Sequence, residues 1–216
     1  MNYIFWCDIL GTIVFAISGV LLASKKEMDP IGALVLGVIT AIGGGTIRDI
    51  ILNHGPIFWI TDSTDLWVAI IASLLSMLFI RYSSTSKYPK WLMPILDAIG
   101  LAVFVGIGVN KAIASEVNGL VMTCMGVLTG VGGGILRDVL ARDIPMVFRT
   151  DIYATACLIG GAVHVSAYLY GNLSLDIATL LGIIVTLSIR LLAIYWHLKL
   201  PIVEAKKNCS IPTHHQ

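Results

Sequence analysis

Two stretches, Gly43-Gly44-Gly45-Thr46-Ile47-Arg48-Asp49 and Gly132-Gly133-Gly134-Ile135-Leu136-Arg137-Asp138, place three glycines and an Arg-Asp pair inside long apolar runs. Neither feature is favourable there. Each glycine weakens a helix by about 1 kcal/mol relative to alanine. An ionised residue near mid-bilayer costs about 2.5–3.5 kcal/mol on the insertion scale. The two copies stand at an offset of 89 residues (43 to 132). The pattern predicts two matching broken helices around a pathway through a membrane, and the rest of the chain is read from them.

The surrounding sequence fits an all-α integral membrane protein. It is 57% hydrophobic and 12% charged, with a mean hydropathy of +0.89. Seven spans of about 20 residues are expected, at 4–24, 31–53, 65–81, 92–111, 119–141, 152–170 and 175–197. They leave no room for a soluble domain, so 1–216 reads as a single transmembrane domain with a polar tail at 199–216. Met1 to Trp6 carries no basic residue, and the first run therefore reads as a retained helix, not a cleaved leader. Cys7, Cys124, Cys157 and Cys209 have neither disulfide nor metal-site spacing. No triad, metal cluster or phosphate loop is present, so no enzyme activity, cofactor or nucleic-acid partner is expected.

Basic residues set the orientation. With the N-terminus outside and the C-terminus cytoplasmic, inner segments hold Lys25, Lys26, Arg81, Lys87, Lys90, Arg142, Arg149, Lys199, Lys206 and Lys207, and outer segments hold Lys111. Trp6, Trp59, Trp67, Trp91 and Trp196 lie near span ends, as an interfacial belt requires.

The offset of 89 extends well beyond the motifs. It matches Asp8 with Asp97, Gly11 with Gly100, Phe15 with Phe104, Gly19 with Gly108, Glu27 with Glu116 and Gly37 with Gly126. It also matches Pro56 with Pro145, Thr61 with Thr150 and Asp62 with Asp151. Repeat 1 runs over about 4–81 and repeat 2 over about 92–170, with a seventh helix at about 175–197 outside both. Three spans per repeat is an odd number, so the second copy enters the membrane the other way up.

A triple glycine permits unwinding or a kink. Carbonyls freed before each break would attract a cation, amides after it an anion, and a zwitterion could use both. The alternative is that the glycines only let helices pack closely. At 1.5 Å per residue, Asp8 and Arg48 reach the same height, about 9 Å outside mid-membrane. Inverted symmetry brings Asp97 and Arg137 to the matching inner depth. Two pairs, Asp8–Arg48 and Asp97–Arg137, are therefore expected to flank the breaks, either gating the pathway or locking the bundle. Asp49 and Asp138 should be turned about 100° from their arginines, towards the pathway or neighbouring backbone. His164 reads as a packing residue and, second, as a proton relay.

Seven spans in a 3+3+1 arrangement, with Gly-Gly-Gly-x-x-Arg-Asp in the second and fifth, resemble the prokaryotic branch of the TRIC (trimeric intracellular cation) channel family, a bacterial group also labelled as glycine transporters. The resemblance covers residues 4 to about 197. It implies a homotrimer in the prokaryotic plasma or inner membrane, with a K⁺- and Na⁺-conducting pore in each protomer lined by kinked second and fifth helices. The pathway residues would be Gly43, Gly44, Gly45, Thr46, Gly132, Gly133 and Gly134. Ions would bind transiently at carbonyls near Gly43 and Gly132, and Asp8, Arg48, Asp49, Asp97, Arg137 and Asp138 would be the charged groups. Besides its own copies and the ions, membrane lipid is the expected partner. The animal members bind phosphoinositide through a lysine in the second motif; here Gly132 to Arg137 has none. A carrier for a small zwitterion such as glycine is the competing function, and a non-transporting scaffold the third.

Overall fold

The computed structural model describes residues 3–53, 55–82, 89, 91–149, 152–196 and 198. They form α1 (Tyr3–Lys25), α2 (Pro30–Leu52), α3 (Phe58–Thr61), α4 (Thr64–Tyr82), α5 (Leu92–Ala114), α6 (Gly119–Leu140), α7 (Met146–Arg149), α8 (Ala154–Leu169) and α9 (Leu175–Trp196). Six are long and apolar enough to cross a membrane, and α8 is a shorter apolar helix of 16 residues. The chain is an all-α multi-pass membrane protein. The short helices α3 and α7 fall where the sequence suggests only connections. The connection at 83–88, Lys90, Thr150, Asp151 and the tail with Lys199, Lys206, Lys207 and Cys209 lie outside the described residues.

The offset of 89 is visible in the backbone. It carries α1 onto α5 end for end. It also relates the turn residues: Glu27 and Glu116 have φ of 54° and 53°, and Asn53 and Arg142 have 45° and 53°. The caps correspond too. Asp29 accepts from the Gly32 N–H at 2.7 Å to start α2, and Asn118 from the Val121 N–H at 2.9 Å to start α6. Equivalent residues thus start and stop the same helices in both halves.

The centre of the bundle is the crossing of α2 with α6, flanked by α1 and α5. Here the expectation of broken helices is corrected: both helices stay α-helical through their glycine triplets. The carbonyls near Gly43 and Gly132 are therefore not at the end of a half-helix, and the half-helix dipoles expected at mid-depth are absent. A side chain on Gly44 would overlap the Thr129 carbonyl oxygen, and one on Gly133 would overlap that of Thr40. A Cβ on Gly132 would sit 3.2 Å from the Gly44 Cα. The glycines remove side-chain bulk so that the two backbones touch, while each helix satisfies its own polar groups as lipid depth demands.

Candidate functional site

In the half of the bundle that carries the second motif, the arginine of α6 joins three helices. Arg137 donates from Nη1 to Asp97 Oδ1 on α5 at 3.0 Å and to Ser18 Oγ on α1 at 3.0 Å. Its Nε donates to Asp138 Oδ1 at 2.8 Å. Arg137 and Asp97 are both 0% exposed. The expected Asp97–Arg137 pair is present. Asp138 is not turned away from its arginine, as adjacency on a helix suggested. The long guanidinium stem folds back to it, and its second oxygen accepts the Met146 N–H at 2.8 Å at the start of α7.

The half that carries the first motif repeats part of this design. Arg48 Nε donates to Asp49 Oδ1 at 2.7 Å, and Asp49 Oδ2 accepts the Phe58 N–H at 2.9 Å at the start of α3. In each repeat the motif aspartate ties its arginine to the short helix that follows. The expected Asp8–Arg48 pair is corrected: among the described residues Arg48 forms its ion pair with Asp49. Asp8 and Arg48 instead line a cavity of about 420 Å³ with Gly45, Phe58, Asp62, Asp65 and Lys111. One reason is at Ile107, which lines this cavity. It occupies the position corresponding to Ser18, so the half around Arg48 lacks the hydroxyl that helps seat Arg137. Thr46 donates to the Ile42 carbonyl at 2.8 Å and accepts from Trp59 Nε1 at 2.9 Å.

Outside the spans, two carboxyls carry shifts with evident causes. The Thr64 hydroxyl and N–H both donate to Asp62, holding it below the usual carboxylate range at the cavity rim. At Asp143 partial desolvation pushes upward, but Arg149 and Lys26 outweigh it and its carboxyl also stays low.

The sequence reading missed Asp65, Lys111, Tyr153 and Arg190 as site residues. Arg190 carried the plainest signal, an ionisable residue inside an apolar span. Buried His164 has its Nε2 3.3 Å from the Thr179 hydroxyl, which also lies 3.0 Å from Asn110 Oδ1.

The family described as Glycine transporter matches residues 5–81 and 94–168. The UPF0126 inner membrane protein YadS of Escherichia coli K12 is 60% identical over 205 residues, 95% of this chain and 98% of that protein. A UPF0126 membrane protein of Vibrio cholerae is 54% identical over 200 residues, 93% of this chain and 82% of its own length. Among solved structures, the TRIC trimeric intracellular cation channel orthologue from Rhodobacter sphaeroides superposes with a TM-score of 0.84 at 31% identity, covering 92% of this chain and all of that one.

Proposed function

This chain belongs to the TRIC channel family, the group described as Glycine transporter, and from that premise we propose that it is a monovalent cation channel. Each protomer of a homotrimer carries its own pore for K⁺ and Na⁺, with the N-terminus outside and the C-terminus in the cytoplasm.

The observation that carries this reading is the order of features along the α2–α6 seam. Gly45 borders the outer cavity, Gly44 and Gly133 form the crossing, and a Cβ on Gly134 would lie 3.4 Å from Asp97 Oδ1 in the inner lock. The cavity gathers Asp8, Asp62 and Asp65 against Arg48 and Lys111, so carboxylates outnumber cations at the mouth and raise the local cation concentration. At the far end the Arg137–Asp97–Ser18 lock fills the space a hydrated ion would need. In this state the pathway is open outside and shut inside. Conduction requires Arg137 to leave Asp97 and the glycine-lined faces, Thr46 with them, to part or bend. Carbonyls near Gly43 and Gly132 would then be available to a partly dehydrated ion.

A glycine carrier is the second reading, favoured by one feature: the outer cavity offers both signs of charge, which suits an ammonium and a carboxylate together. Purified protein in liposomes under a K⁺ gradient separates the two. The channel reading expects K⁺ and Na⁺ flux without any amino acid. Saturable exchange of labelled glycine with no ion flux would replace it with the carrier.

A further inference from the structure

The inner half holds a residue for which the repeat has no counterpart. Helix α9, outside both repeats, brings Arg190 to a position only 2% exposed. Its Nη1 donates to the Ile152 carbonyl at 3.1 Å, and its guanidinium lies 4.5 Å from the centroid of the Tyr153 ring. Tyr153 is itself 1% exposed, and its hydroxyl points at the lock. A Cβ on Gly134 would meet that hydroxyl at 3.1 Å, Asp97 Oδ1 at 3.4 Å and Arg137 Nη2 at 3.8 Å. The position in repeat 1 that corresponds to Tyr153 is Thr64, whose hydroxyl donates to Asp62 instead. A desolvated arginine over a tyrosine face is strongly held, so the ring between Arg190 and Asp97 has little freedom to swing.

Charge points the same way. With Arg190, the inner cluster sets two arginines, Arg137 and Arg190, against two aspartates, Asp97 and Asp138. Without it, one buried negative charge is left over, which draws a further cation into the cluster beside Arg137.

We propose that Arg190 and Tyr153 are positioning residues that hold the inner lock shut, so that α9 decides which end of the pathway is closed. This rests on the reading that the lock closes a pathway, but not on what passes through it.

The test therefore reads the lock directly. Leu22 is buried near the inner end of α1 and corresponds by the offset to Lys111, which lines the open outer cavity. In a cysteine-free background, Leu22→Cys is labelled from the cytoplasmic side with a charged methanethiosulfonate. The background is combined with Tyr153→Phe, Arg190→Lys or Arg190→Gln, and the melting temperature of each protein is recorded. Labelling should quicken roughly tenfold or more in Tyr153→Phe and Arg190→Gln at a near-parental melting temperature, with Arg190→Lys between them and the parent. An unchanged rate in Tyr153→Phe, or rates that rise only as far as thermal stability falls, would make both residues structural props and overturn the proposal. If Arg190→Gln does not fold, Tyr153→Phe and Arg190→Lys still decide it. Faster labelling in a protein that passes no ions would leave the lock assignment standing and remove the channel reading alone.

Discussion

Arg137 makes three hydrogen bonds in a space sealed from solvent, whereas Arg48, the same residue of the motif, meets its own aspartate beside a cavity. The difference fixes what each substitution does. Arg137→Ala strands the Asp97 carboxylate between helices, an uncompensated buried charge that costs about 3–5 kcal/mol. Arg48→Ala leaves Asp49 bonded to the Phe58 N–H and still partly exposed, so the loss should stay near 1–2 kcal/mol. Thermal melting in detergent checks this, and Asp97→Ala/Arg137→Ala should recover part of the larger loss, with Asp138 still lacking its arginine. Equal losses at the two arginines would contradict the asymmetry. Matching depth, carried across the repeat, yields the Asp97–Arg137 contact but also the Asp8–Arg48 contact that does not form, because depth does not supply the Ser18 hydroxyl that seats one arginine and not the other. The Asp49 and Asp138 contacts were not legible, because helix geometry fixes where Cβ points but not where a flexible arginine stem returns.

Among the elements, α2 and α6 carry the clearest lesson. Their triplets predict breaks, whereas both helices run unbroken through them. Glycine permits both unwinding and close approach, and sequence does not say which is used. The partner decides it: with the Thr129 and Thr40 carbonyls resting on Gly44 and Gly133, packing is satisfied and the backbone ladder stays closed. Gly44→Ala and Gly133→Ala should therefore each lose about 1–3 kcal/mol through overlap at the crossing, despite alanine's better helix propensity. A gain in melting temperature for either variant would mean that the helices do not meet there. The short helices α3 and α7 escaped notice for another reason. At four residues each they are too short for periodicity, and they are organised by the distant carboxylates Asp49 and Asp138.

For the whole molecule, the repeat was legible because it preserves residues that are rare in apolar helices, and the turn and cap geometry follow the same offset. The seventh helix was legible as a span, but not as the element that makes the halves unequal. The basic residues put Asn172 outside and Tyr82 inside, both at exposed positions. An impermeant thiol reagent added to intact cells should modify Asn172→Cys and spare Tyr82→Cys, and the reverse pattern would invert the assignment.

The central claim is that a cation pathway runs along the α2–α6 seam and is closed at its inner end by Arg137 and Asp97. Single-channel recording from purified protein in planar bilayers, comparing the parent with Asp97→Asn/Arg137→Gln, tests it most directly. The paired change removes the buried Asp97–Arg137 ion pair without stranding either member, and Asp138 keeps its bond from the Met146 N–H. K⁺ current is expected in both proteins, with unitary conductance preserved and open probability raised roughly tenfold in the variant. Current with the parental open probability in a well-folded variant, or no current in either protein, would contradict it.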